Sequence, residues 1–213
     1  MSAVSKDQEF ARWSATYAGE EYFYGADAGP VARRAVRYHQ PLLRIGSSPT
    51  ALDLGCGEGQ DLAFLAECGY AVTGVDFITN AIEKARRLLQ HRGLTAELMQ
   101  ESLCAWRSRQ NYDLVLACNS LQFLGDDAPD AIERARDATA VHGVLGLSLF
   151  TCDEGETVCG GVYHTSLDRL VARFDCEGDA RCWQMLETSR LWQWNRTQNA
   201  PQPFVTLIAQ RLR

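Results

Sequence analysis

The chain has no apolar run near the roughly 20 residues that a bilayer crossing needs; its longest, such as Leu114 to Cys118, are strand-sized. The amino-terminal stretch MSAVSKDQEFARW has no apolar centre of the kind a secretion signal requires, so the sequence predicts a cytoplasmic protein with no membrane partner. Basic residues are in the minority: 21 Lys and Arg stand against 27 Asp and Glu, with no Lys or Arg block and a net charge of -6. That balance argues against nucleic acid as a partner, because phosphate-binding proteins usually carry a basic face. Arg33, Arg34 and Arg37 read as a solvated helix face. Eight cysteines are present, but no CxxC and no common zinc spacing, so no metal is expected. Without a secretion signal, all eight are expected to remain reduced.

What remains is an ordinary globular composition, 46% hydrophobic and 23% charged over 213 residues, enough for one α/β domain and short for two. Residues 1–48 read as a helical cap. Phe10, Trp13 and Tyr17 share one helical face, and Gly29-Pro30 opens a second helix running through Leu42. From Thr50 strands and helices alternate. Strands are predicted over Thr50–Leu54, Tyr70–Val75, Thr95–Met99, Tyr112–Ala117 and Gly143–Phe150. Helices are predicted over Gln60–Cys68, Asn80–His91 and Pro129–Thr139. Such alternation indicates βαβ units and a mostly parallel sheet. Beyond residue 150 a helix capped by Ser166 is expected, then two strands, Cys182–Trp194 and Phe204–Gln210.

The chemistry is concentrated in Ala51-Leu52-Asp53-Leu54-Gly55-Cys56-Gly57-Glu58-Gly59-Gln60, a strand entering a glycine turn that opens a helix. Glycines there let backbone approach a ligand and take positive φ. Asp76 ends the next strand, where a carboxylate can accept hydrogen bonds from both hydroxyls of a ribose. Asp53, just before the turn, would repel a pyrophosphate and suits an amino group or sulfonium instead.

These residues resemble a known family. DLGCGEG followed by VTGVD looks like motifs I and II of the class I S-adenosylmethionine-dependent methyltransferases, and the segment order from residue 50 onward is similar to theirs. The resemblance implies an α/β, Rossmann-like seven-stranded sheet, mostly parallel, with helices on both faces and an antiparallel last strand, Phe204 to Gln210. Residues 50–150 would form its cofactor-binding core and 151–213 its substrate-facing segment. Trp13, Tyr17, Tyr22-Phe23-Tyr24-Gly25 and LDLGCGEGQDLAFLAECGYAVTGVD are similar to the small tellurite-resistance and thiopurine-type methyltransferases.

Carried over residue by residue, the resemblance implies S-adenosylmethionine as cofactor. Gly55, Gly57 and backbone around Cys56 would face its methionine part, and Asp53 would offset its positive charge. Asp76 would hold the ribose, and Phe77 and Ile78 the adenine. Glu101 and Ser102 would reach the adenine amino group, although the family usually has Asp there. Asn119 would approach the methionine and the substrate, and Trp13 and Tyr17 would cover the cofactor. Asn119-Ser120-Leu121-Gln122 lacks the proline signature of adenine-modifying relatives, and Pro201-Gln202-Pro203 stands where tellurite-resistance relatives tend to place a histidine.

The acceptor is therefore expected to be a small molecule, either a thiol or chalcogen nucleophile or an oxygen, nitrogen or carbon acceptor on a metabolite. His164 and its neighbour Tyr163 are the candidates for proton removal, His164 having a suitable intrinsic pKa range. Trp183, Trp192 and Trp194 read as core or pocket lining. Cys152, Cys159, Cys176 and Cys182 read as small core residues, or as soft ligands for a metalloid. An NAD-dependent oxidoreductase and a non-catalytic cofactor-binding module are the alternatives. Oligomeric state is not legible.

Overall fold

A computed structural model describes residues 6–43, 46–175, 182–195 and 199–213. Helix α1 (Lys6–Thr16) and helix α2 (Pro30–His39) precede the sheet. The α2 helix ends sooner than its apolar periodicity implies. Pro41 removes a backbone donor and its ring opposes continuation of the helix, and Gln40–Leu42 turn as a short 3-10 helix. Then follow β1 (Thr50–Leu54), α3 (Gln60–Glu67), β2 (Ala71–Asp76), α4 (Thr79–His91), β3 (Glu97–Gln100) and β4 (Tyr112–Cys118). A second 3-10 segment, Leu121–Asp127, leads into α5 (Ala128–Ala138) and β5 (Thr139–Phe150). A hairpin of β6 (Glu156–Cys159) and β7 (Val162–Thr165) precedes α6 (Leu167–Ala172), β8 (Trp183–Asn195) and β9 (Ala200–Arg211). Ser166 caps α6 as expected, its hydroxyl accepting from the Arg169 amide at 3.3 Å.

Seven strands lie in the order β3-β2-β1-β4-β5-β9-β8. The first five pair in parallel, while β9 runs antiparallel to both β5 and β8, so the Phe204 to Gln210 stretch is the inserted strand that the resemblance implied. Alternation along the strands builds two cores. Leu52, Val115, Leu145 and Leu207 pack under α5 and α6, and Ala51, Leu114, Val144 and Ile208 pack under α2, α3 and α4. Each fully buried leucine there stabilises the fold by roughly 1.5–3 kcal/mol. Helices thus cover both faces, and the order reverses between β1 and β4. A crevice opens at that reversal, beyond the carboxyl ends of the strands.

The last third adds one element and corrects two expectations. The Gly160-Gly161 stretch is the tip of the β6–β7 hairpin; both glycines have positive φ, which a two-residue turn between twisted strands favours. Trp183 is core, but Trp192 and Trp194 are 67% and 61% exposed on the outermost strand, where no further layer covers them. Cys182 is disulfide-bonded, against the expectation of eight reduced thiols. Spacing in sequence does not reveal the Cα separation on which a bridge depends. Cys176 lies outside the described residues. Among the described residues no helix is long and apolar enough to cross a membrane, and no cluster of His, Cys, Asp and Glu could hold a metal.

Candidate active site

A cavity of about 630 Å³ occupies the crevice. Its floor is Gly55 after β1, Asp76 at the end of β2, and Asn119 and Ser120 after β4; one wall is Phe77, Ile78, Ser102 and Leu103. Phe10, Trp13 and Tyr17 of the amino-terminal segment form its roof, with Phe123 and Leu124 from the second 3-10 segment. The roof is held by aromatic packing. Trp13 stacks on Tyr17 with ring centroids 5.6 Å apart, Phe123 meets Trp13 edge-on at 4.9 Å, and Phe10 lies 6.0 Å from Phe77.

The glycine turn is braced from below. Val75 carbonyl oxygen accepts from the amides of Gly55 at 2.7 Å and Cys56 at 3.1 Å. The Gly57 amide donates to Asp76 Oδ2 at 2.9 Å, and the Gly59 amide to the Cys56 carbonyl at 3.0 Å. A pyrophosphate site needs spare amides at such a turn, and these four are already used. Gly59 is required for packing, since a β-carbon there would lie 2.8 Å from that of Ala85.

Asp76 does more than the ribose role implied for it. Its Oδ1 accepts from the Ile78 amide at 2.9 Å while Oδ2 holds Gly57, so one carboxylate joins the turn to the approach of α4. Burial holds its carboxyl above the usual range, the backbone bonds from Ile78, Gly57 and Phe77 opposing the shift. Each oxygen keeps acceptor capacity toward the cavity.

Asn119 has φ +55, rare for a residue with a side chain. Ser148 holds it there: the Ser148 hydroxyl donates to Asn119 Oδ1 at 2.5 Å, and the Asn119 amide donates to the Ser148 carbonyl at 3.0 Å. The side-chain oxygen is engaged with β5, and the amide NH₂ stays a donor at the cavity floor.

Of the residues singled out from sequence, Trp13, Tyr17, Gly55, Asp76, Phe77, Ile78, Ser102 and Asn119 line one cavity. The others do not. Asp53 is buried, with Asp61 and Asp76 as charged neighbours, and desolvation first, then those charges, holds its carboxyl well above the usual range. Cys56 is buried in the α3-side core, and burial pushes its thiol up, so it offers no thiolate. Gly57 sits beneath Tyr17, and Glu101 donates its amide to the Asp76 carbonyl at 3.0 Å. Tyr163 points into the core beneath α6. His164 stands outside the cavity, its ring 5.7 Å from that of Phe150.

Several lining residues were not singled out from the sequence. Glu9 accepts from the Trp13 indole nitrogen at 3.1 Å and pairs with Arg12 at 3.3 Å. Asp126 and Asp127 also line the cavity, and Val158 and Gly161 reach it from the hairpin. Only the folding of separate segments onto one crevice brings them together.

Residues 51–143 match the family model described as a methyltransferase domain. The chain is 31% identical over 139 residues to the trans-aconitate 2-methyltransferase of Azoarcus sp., covering 63% of this chain and 51% of that one. It is 29% identical over 101 residues to the probable S-adenosyl-L-methionine-dependent methyltransferase TehB of Haemophilus influenzae, covering 47% and 35%. The crystal structure of TehB superposes with a TM-score of 0.70 at 20% identity, covering 86% of this chain and 62% of that one. The 1,6-didemethyltoxoflavin-N1-methyltransferase of Burkholderia thailandensis, solved with bound 1,6-didemethyltoxoflavin and S-adenosylhomocysteine, superposes with a TM-score of 0.68 at 17% identity, covering 100% of this chain and 92% of that one. The matches span about a third to a half of the curated relatives' length.

Proposed function

We propose that the chain is a class I S-adenosylmethionine-dependent methyltransferase, a reading supported by the match of residues 51–143 to a methyltransferase domain model, and that it transfers a methyl group to a small molecule bound under the aromatic roof. The observation that carries this reading is the cavity itself, which joins Gly55, Asp76 and Asn119 to Trp13 and Tyr17. The cavity fits the cofactor. Asp76 has acceptor capacity for ribose hydroxyls, Phe77 and Ile78 offer an apolar wall to a purine, and the braced glycine turn suits an amino acid moiety better than a pyrophosphate.

S-adenosylmethionine, when bound, supplies an electrophilic methyl carbon on a sulfonium. The chain's own part is to place the nucleophile and exclude water. The faces of Trp13, Tyr17, Phe10 and Phe123 favour a positive charge beneath them. Burial, then Asp76, pushes the Tyr17 phenol well up, so it stays a neutral hydroxyl at the roof.

The lining also bears on the acceptor. Asp76, Asp126 and Asp127 contribute carboxylates, Glu9 a further one paired with Arg12, and among the described lining residues there is no Lys, Arg or His. An acceptor that arrives already anionic, as a thiolate or chalcogenide would, is opposed by these charges. A thiol or related chalcogen nucleophile fits if it enters protonated, and a neutral or cationic nitrogen acceptor fits directly. The resemblance to tellurite-resistance and thiopurine-type enzymes supports the first, and the charge of the lining supports the second.

Methyl transfer from labelled S-adenosylmethionine to a panel of thiols, selenols, amines, phenols and carboxylates tests the proposal. Transfer to none of them, together with calorimetric binding of NAD in preference to S-adenosylhomocysteine, would remove it.

A further inference from the structure

Between α1 and α2 the chain runs from Tyr17 to Gly29 without regular structure, yet backbone and side-chain bonds fasten it to the cofactor turn and its neighbours. The centre of this fastening is Glu58, which stands between Gly57 and Gly59 in the turn. Glu58 is 1% exposed, and its Oε1 lies 2.7 Å from the Nζ of Lys84, itself 2% exposed on α4. Lys84 Nζ also donates to the Glu21 carbonyl at 2.6 Å. Glu58 Oε2 accepts from the Tyr24 amide at 3.3 Å, and the Tyr22 hydroxyl donates to the Lys84 carbonyl at 3.2 Å. Farther along, Arg92 donates to the Ala26 carbonyl at 2.7 Å, and Asp61 accepts from the Gly29 amide at 2.7 Å. Glu58 and Lys84 therefore bind each other and the strap at once.

A buried ion pair is a costly way to fill space, because apolar residues of similar volume often serve stability as well or better. What a charged pair adds is placement: it accepts one arrangement of donors and acceptors and penalises others. Here that arrangement sets the chain immediately after Tyr17, whose hydroxyl stands over Gly57 and whose ring supports Trp13. We infer that Glu58 and Lys84 are positioning residues, which couple the glycine turn to closure of the aromatic roof through the strap at residues 17–29. The inference rests on the reading of the cavity as a cofactor site. Neither residue lines the cavity, and their effect passes through the roof.

The test uses the full chain and two readouts, hydrogen exchange of the amides of residues 17–29 without ligand and calorimetric affinity for S-adenosylhomocysteine. In the double variant Glu58→Leu/Lys84→Met the buried charges leave together, so no unpaired charge remains to unfold the protein. Its strap amides should exchange at least tenfold faster while amides of β1 and β4 keep their protection, and its affinity should fall at least tenfold. Glu58→Gln/Lys84→Gln, which also removes both charges but keeps hydrogen-bonding groups at both positions, should move both readouts in the same direction by less, and it carries the test if the apolar double variant does not fold. Unchanged strap exchange in a folded variant overturns the inference, as does faster exchange with unchanged affinity. A parent protein that binds no S-adenosylhomocysteine removes the cofactor reading and the coupling with it, a result distinct from failure of the strap.

Discussion

The Tyr17 hydroxyl lies 3.2 Å from the point that a β-carbon on Gly57 would occupy. Gly57 also has φ +52, so two separate demands meet at one residue. Gly57→Ala should destabilise by roughly 1–2 kcal/mol from the left-handed backbone alone, and should also lift Tyr17. Tyr17→Phe removes the atom in closest approach and leaves the ring carbon at 3.8 Å. The double variant should therefore recover protection of the amino-terminal segment from protease without recovering the backbone share of stability. Equal protease sensitivity in the single and double variants would show that the hydroxyl contact does not hold the roof.

Asp76 joins the turn to α4 through two backbone amides, so its substitution acts on the fold as well as on the ligand. Asp76→Ala should lower unfolding stability by about 1–3 kcal/mol, the range for leaving buried donors unsatisfied, and should weaken binding of S-adenosylhomocysteine. Urea titration and calorimetry on the same preparation separate the two losses. Weakened binding at unchanged stability would leave the ribose role alone.

The alternating half of the molecule was legible because local chemistry and tertiary fate agree there. Residues 50–54 have a strand's apolar pattern, Gly55, Gly57 and Gly59 mark the turn, and Asp76 closes the next strand. The roof was half legible: Phe10, Trp13 and Tyr17 share a helical face, but nothing local shows that Phe123 completes it. Glu58 and Lys84 escape notice in the sequence because, taken singly, charged residues in a turn and on a helix resemble solvated ones. Their burial depends on a strap that lies far from Lys84 along the chain. The Gly160-Gly161 hairpin has a signal, two glycines between branched and aromatic residues, but that pattern suits an open loop equally well.

Asn119 offers a case in which strain and function part. Glycine adopts φ +55 freely, which offsets the cost of leaving the buried Ser148 hydroxyl without its acceptor, so Asn119→Gly should change thermal stability little while removing the amide donor from the cavity floor. Turnover should fall at least tenfold against whichever acceptor the panel identifies. Full turnover in the glycine variant would make Asn119 a turn residue only.

His39 is buried against Tyr70, its Nδ1 2.8 Å from the phenol oxygen. Burial lowers its pKa, with Asp113 opposing. The sign follows: a histidine whose folded pKa is depressed contributes stability above its unfolded value of about 6.5, and that contribution is lost as pH falls below it. Asp53, Asp61 and Asp76, with raised pKa values, act in the opposite sense. The difference between parent and His39→Gln isolates the histidine. Between pH 7.5 and 5.5 the melting temperature of the parent should fall more than that of the variant, and parallel profiles would assign the acid sensitivity elsewhere.

His164 was the sequence's candidate for removing a proton from the acceptor, and its surroundings give it another task. Its Nδ1 lies 3.1 Å from the Val162 carbonyl, which can only accept, so Nδ1 carries the proton. Burial lowers its pKa, with that bond opposing, so the ring is neutral near pH 7. Its ring lies beside Phe150, which in turn packs edge-on against Phe123 at 5.6 Å. It supports Phe123, through Phe150, where that ring closes the roof of the cavity. A general base gives a hundredfold or more when removed, whereas loosening the roof changes acceptor affinity first. His164→Ala should thus raise KM for the acceptor severalfold and lower kcat by less than tenfold, with no loss of the acid limb in the pH profile of kcat. If kcat instead falls a hundredfold and its pH dependence flattens, His164 reaches the reacting proton and the supporting role fails.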